Sequence, residues 1–228
     1  MDQQKTFLVV GASGTLGKAV AHVITEAGFG LVAAARDVDR LQGAVSSAAG
    51  PAIRCYRLDL CDAKSIAKFA EQISADVPRL TGVINCAAGF YKGAFASMTD
   101  EKMSDLLWSN FGGMVLLINK LLPVLQRSAP SDVINITSIS SATTLDTSKS
   151  SSLHIATKAA LQVFDTVVGR ELSTSGVRVT TIAPSTLAKE GRLGISVPDL
   201  AQFIVQLLRL PSSIRVETIA VYPNGPVS

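Results

Sequence analysis

Short apolar, β-branched runs recur along the chain, at Thr6 to Val10, Gly30 to Ala35, Ala52 to Leu58, Thr81 to Asn85, Asp132 to Thr137, Val177 to Ala183 and Arg215 to Tyr222. Between them the apolar positions fall at helical spacing. Leu16, Val20, Val23 and Ile24 mark one buried helix face, and Leu161, Phe164, Val167 and Val168 mark another. Strands that are apolar at nearly every position are buried on both faces, and their alternation with amphipathic helices predicts a parallel sheet covered on each side. The pattern therefore predicts a doubly wound α/β fold with about seven strands, in one domain spanning residues 1–228. No repeat or interdomain linker interrupts it. Between Ser138 and Ser152, ten of fifteen residues are Ser or Thr, a composition expected of a solvated loop.

Composition narrows the function. With 47% apolar and 17% charged residues, and a net charge of +3 from 21 Lys and Arg against 18 Asp and Glu, the 228-residue chain is expected to build a large core. Its basic residues are scattered, so neither nucleic acid nor an anionic membrane is an expected partner. Cys55, Cys61 and Cys86 lack CxxC spacing, and His22 and His154 are far apart. No disulfide framework and no metal site is expected, and a reducing, cytoplasmic location fits. The apolar run from Met114 to Leu125 is broken by Lys120 and Pro123, so no membrane span is expected.

The first strand ends in Gly11-Ala12-Ser13-Gly14-Thr15-Leu16-Gly17. Glycines at such a strand-to-helix turn let the backbone approach a pyrophosphate, and the helix N-terminus supplies free N–H groups and partial positive charge. This marks a Rossmann-like dinucleotide site, the alternative being glycines that only permit a tight turn. The second strand ends Ala33-Ala34-Ala35-Arg36-Asp37. Ala35 stands where an NAD site carries an acid for the ribose, and Arg36 follows it, suited to a 2′-phosphate, so NADP(H) is expected over NAD(H). Asp37 would be the ribose ligand instead if the strand ran one or two residues further, with Arg36 a plain surface charge.

Over nearly its whole length the chain resembles the short-chain dehydrogenase/reductase family. The resemblance implies an oxidoreductase that moves a hydride between NADP(H) and a small carbonyl or alcohol. Beyond the glycine turn, Asp59 and Leu60 resemble the family's adenine contact. Asn85-Cys86-Ala87-Ala88-Gly89 resembles its Asn-Asn-Ala-Gly element, which places Asn85 and Ala87 at the cofactor. Asn110 resembles the asparagine that supports an active-site water. Ser138 matches the serine that holds the substrate carbonyl. Lys158 matches the lysine that binds the nicotinamide ribose and lowers the pKa of a neighbouring acid. Pro184 stands at the family's Pro-Gly, here Pro-Ser.

The main departure is His154, four residues before Lys158, where the family has its proton-donating tyrosine. The i, i+4 spacing keeps His154 on the helix face of Lys158. An imidazole is shorter than a phenol and ordinarily titrates near 6.5 instead of about 10, and the adjacent ammonium lowers it further. Three roles are open: an alternative acid, a relic of lost catalysis, or a group for redox-neutral chemistry; a cofactor-binding scaffold without turnover belongs to the second. The middle glycine of the family's turn is Thr15. The separation from Ser138 to His154 is longer than usual; Ser141 sits at the usual separation, and Tyr91 is a candidate phenol. Only Ser185 to Ser196 is available for a lid before a helix begins at Val197, leaving the substrate unidentified. The resemblance implies a homodimer or homotetramer paired through the long helices near Met103–Leu125 and His154–Leu172.

Overall fold

The computed structural model describes residues 4–45, 53–139, 151–188 and 194–224. Seven parallel strands form one sheet in the order β3-β2-β1-β4-β5-β6-β7. They are β1 (Thr6–Val10), β2 (Gly30–Ala35), β3 (Ile53–Arg57), β4 (Gly82–Asn85), β5 (Ser131–Ile136), β6 (Val177–Pro184) and β7 (Thr218–Val221). The helices are α1 (Thr15–Glu26), α2 (Val38–Val45), α3 (Ala63–Asp76), α4 (Asp100–Leu107), α5 (Gly113–Arg127), α6 (Ser152–Glu171) and α7 (Val197–Leu207). The doubly wound, Rossmann-like architecture expected from the alternating pattern is the one found.

Side-chain alternation along the strands divides the core in two. Phe7 and Val9 of β1 face α1, α2 and α7, where Leu16, Val20, Ile24, Leu41, Leu200 and Ile204 close one cluster. Leu8 and Val10 face the other way, against Ile66 and Phe69 of α3 and Met114, Leu117 and Leu121 of α5. Central strands β1, β2, β4 and β5 are almost entirely buried, which is why they read as continuous apolar runs.

Two helical details add to the sequence reading. Helix α5 runs through Lys120 and Pro123. Both residues are on its exposed side, so the backbone carbonyl that Pro123 cannot bond, that of Asn119, is on the solvent face as well. By length and composition the helical run Asp100–Arg127 is apolar enough to cross a membrane. Here its inner face instead builds the core with α3. In α6, Leu161 is buried and Phe164 and Val168 pack against the core, whereas Val167 is 53% exposed. Val167 lies one turn from Val163, 64% exposed, so these two valines form an exposed stripe beside the packed face. The start of β3 at Ala52 and most of the Ser/Thr-rich segment lie outside the described residues.

Candidate active site

Among the described residues, most of the singled-out positions lie at the C-terminal ends of the strands, with Asn110 on the turn before α5 and His154 and Lys158 on α6. At the first turn Gly11 has φ +77°, and a Cβ there would lie 2.8 Å from the Ala87 nitrogen. A Cβ on Gly17 would meet the Gly11 carbonyl oxygen at 2.2 Å. The turn is thus closed against the loop after β4 and against itself, and no side chain fits at either place. Gly14 precedes α1 as its N-cap without a side-chain bond, and Thr15, exposed, begins the helix. The N–H groups of Ser13, Thr15, Leu16 and Gly17 find no protein acceptor among the described residues. That is a ready cradle for a phosphate anion.

At the end of β2, Arg36 is exposed and enters no ion pair among the described residues. Asp37 is engaged locally, its Oδ1 accepting from the Arg40 N–H at 2.9 Å and so bonding the first turn of α2. Asp59, two residues past β3, folds back in the same way, its Oδ1 accepting from the Cys61 N–H at 2.9 Å. Leu60 is buried beside α5. Pro184 is the last residue of β6 and pairs with Val221. Beside it the Ser185 hydroxyl oxygen is buried with no hydrogen-bond partner among the described residues.

The loop after β4 is the meeting point. Helices α4 and α5 are joined by a π-helical turn, Trp108–Gly112, which carries Asn110 inward to 1% exposure. Its side chain grips Gly89 at both backbone groups: Oδ1 accepts from the Gly89 N–H at 2.6 Å and Nδ2 donates to the Gly89 carbonyl at 3.1 Å. Nδ2 also donates to Thr157 Oγ1 at 3.2 Å. The asparagine side chain thus has protein partners at both its oxygen and its nitrogen.

His154 stands in the first turn of α6, whose N-cap is Ser151. Its Nδ1 is 3.1 Å from the same Gly89 carbonyl. A carbonyl only accepts, so Nδ1 carries the hydrogen and Nε2 is the nitrogen left for chemistry. Nε2 has no hydrogen-bond partner among the described residues. Phe90 packs edge-on against the ring at 5.2 Å between centroids. The imidazole titrates below its ordinary 6.5, because burial disfavours the charged form and Lys158 adds to that, while the Gly89 bond opposes it. The direction expected from Lys158 is present, but burial is the larger cause. The positive end of the α6 dipole acts the same way.

Lys158 is 2% exposed and its Nζ donates to the Ile136 carbonyl at the end of β5, at 2.7 Å. Burial brings its pKa down to about 8, with Cys86 and Asp165 opposing the fall. Burial likewise pushes the Cys86 thiol up to about 12, so it stays protonated.

The short chain dehydrogenase family profile matches residues 5–192 of this sequence. The chain belongs to the short chain dehydrogenase family. An uncharacterized oxidoreductase of Staphylococcus aureus strain MRSA252 is 26% identical over 227 residues, covering 96% of this chain and 97% of its own length. The crystal structure of a metagenomic short-chain oxidoreductase in complex with NADP superposes with TM-score 0.85 at 25% identity, over 97% of this chain and 98% of that one. A short-chain type dehydrogenase/reductase from Mycobacterium ulcerans gives TM-score 0.84 at 26% identity, over 96% and 88%.

Within this short chain dehydrogenase the remaining candidates are placed as follows. Ser138 is half-buried two residues beyond β5, and Ser141 lies outside the described residues. Tyr91 is held within its own loop, its hydroxyl bonding Ser97 Oγ at 3.0 Å and the Ser97 carbonyl at 3.1 Å. The described ends of the segment between β6 and α7 are tied together: Ala188 N–H donates to Ile195 O and Ile195 N–H to Thr186 O, each at 2.8 Å, and Ile195 is buried in the core. The sequence reading missed Phe90 and Thr157, whose contacts with His154 and Asn110 bring together residues far apart in the chain, and it missed Asp165. A carboxylate on the same helix face as Lys158 and Leu161 was the available signal for Asp165.

Proposed function

We propose that this chain is an NADP(H)-dependent oxidoreductase that interconverts a small carbonyl compound and its alcohol, with His154 handling the proton. The observation that carries the reading is the His154–Gly89 bond, which orients the ring, commits Nδ1, and leaves Nε2 without a partner among the described residues, one helical turn before Lys158. Bound NADP(H) would supply or take up the hydride. The free N–H groups of the turn suit its pyrophosphate, the buried Ser185 hydroxyl lacks the partner a polar ligand group would give it, and Lys158 is placed for the ribose.

Preference for the 2′-phosphate is supported by Arg36, unpaired among the described residues, by Asp37 being spent on α2, and by the NADP held in the metagenomic relative. With a pKa below 6.5, His154 is mainly neutral at pH 7, and its free nitrogen is then a base. The resting site is set to accept an alcohol proton, and carbonyl reduction needs the imidazolium form. Ser138, half-buried past β5, is assigned to the substrate oxygen.

The deciding experiment is a screen of NADPH oxidation with aldehydes, ketones and quinones, and of NADP reduction with alcohols, on wild type and His154→Ala. Turnover by wild type that the variant lacks supports the assignment. Tight cofactor binding with no turnover on any substrate replaces it with a nucleotide-binding scaffold. We also infer a homodimer or homotetramer formed over the exposed apolar positions of α4 to α6, and a reducing, cytoplasmic setting consistent with three free cysteines.

A further inference from the structure

Beneath the loop after β4 runs a chain of buried side chains that the proton transfer does not use. The Ala87 N–H donates to Asn85 Oδ1 at 3.1 Å, and Asn85 Nδ2 donates to Asn135 Oδ1 at 3.0 Å. Asn135 Nδ2 donates to Asp165 Oδ1 at 2.7 Å, and Thr181 Oγ1 donates to Asp165 Oδ2, also at 2.7 Å. Asn85, Asn135, Asp165 and Thr181 are each 2% exposed or less. They belong to β4, β5, α6 and β6, so the chain links three neighbouring strands and the helix over them. Asn85 pairs with Asn135 in register, and Asn135 with Thr181.

The direction of this chain is fixed at both ends. A backbone N–H can only donate, and a carboxylate can only accept. The two asparagine amides between them consequently have one orientation that satisfies every group. A neutral amide at position 165 offers a single oxygen, and one of its two donors would lose its acceptor in a site that is 2% exposed. The carboxylate has no ion pair within hydrogen-bond reach among the described residues: Lys158, whose charge it feels, donates to the Ile136 carbonyl. Burying such a group is unfavourable unless donors offset it, and here two do.

The far end of the chain is the cofactor side. Ala87 is the residue against which Gly11 closes, with 2.8 Å between the Ala87 nitrogen and a Cβ built on Gly11. The other end of the same loop, Gly89, is held by Asn110 and His154. A shift of Ala87 by a fraction of an ångström is felt at the glycine turn. We propose that Asp165 is a positioning residue for the dinucleotide, its carboxylate fixing the Cys86–Gly89 loop against the glycine turn through Asn135 and Asn85. The proposal rests on the cofactor reading above and adds to it a residue that touches neither cofactor nor substrate.

The test compares wild type, Asp165→Asn, and the exchange Asn135→Asp with Asp165→Asn. The exchange moves the charge one place along and again gives every donor an acceptor. NADPH affinity is measured by calorimetry, the exchange rate of the Ala87 amide by hydrogen–deuterium exchange, and folding by thermal melting. Asp165→Asn is expected to weaken NADPH about tenfold or more and to speed exchange at Ala87, and the charge exchange to recover most of both losses. The affinity gap between wild type and Asp165→Asn should close as pH falls through about 7, where the Asp165 carboxyl takes up a proton. The 2′-phosphate titrates alike in both proteins and drops out of the gap. Among the described residues the ionisable groups facing Asp165 are Lys158 on its own helix and, beyond it, Cys86 on the loop; β5 and β6 present Asn135 and Thr181, which do not titrate. Should Asp165→Asn fail to fold, Thr181→Val, close in volume, removes one donor and should move the acid-side loss of affinity to higher pH.

Unchanged NADPH affinity in Asp165→Asn, a charge-exchange variant as weak as the single one, or an unmoved midpoint in Thr181→Val overturns the proposal. A wild type that binds neither NADPH nor NADH overturns the cofactor reading instead. In that case the dinucleotide role of Asp165 falls too, and unaltered Ala87 exchange in Asp165→Asn overturns its hold on the loop as well, whereas faster exchange upholds that hold alone.

Discussion

At His154 the chemistry turns on which ring nitrogen holds a proton. Because its pKa is lowered, the acid form is present below the midpoint and is lost as pH rises through it. The rate of carbonyl reduction should therefore fall with rising pH through a midpoint below 6.5, while alcohol oxidation rises across the same midpoint, as initial rates with NADPH and NADP would show. A His154→Tyr variant should retain reduction at alkaline pH, and equal pH profiles for the two proteins would remove His154 from the role. Arg36 governs a separate property. A charge-assisted pair with a phosphate is worth about 1.5–3 kcal/mol, so Arg36→Ala should reduce the preference for NADPH over NADH by roughly ten- to a hundredfold, measured as dissociation constants. Arg36 was singled out by its residue type and its place after the second strand, and His154 by the resemblance that puts a tyrosine four residues before Lys158. The partner of His154 was not: Gly89 lies 65 residues away, and only the folded chain shows that its carbonyl chooses the tautomer.

Among the elements, strands were the easiest to foresee and helix faces the hardest. A central parallel strand is buried on both sides, so its identity and ends are written in a continuous apolar run, as at β2. A helix face must be judged from the angle between side chains, and Val167 falls just past the edge of the face that Leu161 and Val168 define. The π turn was also hidden, since no residue type announces it. It inserts one residue into the helical ladder and thereby turns Asn110 towards Gly89. The glycine turn, in contrast, makes its geometric demand visible. Gly17→Ala places a methyl 2.2 Å from the Gly11 carbonyl oxygen. The variant should lose NADPH binding in calorimetry and unfold earlier by thermal melting, an overpacking loss of about 1–3 kcal/mol.

Across the whole molecule, the outer faces of α4 to α6 carry more apolar surface than the core uses. Leu107 is 47% exposed, Trp108 38%, Val163 64% and Val167 53%. A second copy of the chain would cover them, so wild type should scatter light as a dimer or tetramer at micromolar concentration, and Val163→Glu with Val167→Glu should give monomers that keep the same circular dichroism. A different long-range dependence follows from α7 lying on α1. A ribosome delivers the glycine turn and α1 well before Leu200, Ala201 and Ile204, which seal the apolar side of α1. Until then the nascent chain holds a phosphate cradle mounted on a helix with one uncovered flank. A protein released after residue 196 should bind no dinucleotide, and a peptide of residues 197–228 added in trans should restore binding, followed by the fluorescence of NADPH. Dinucleotide binding would in this sense report that α7 has reached its place on α1.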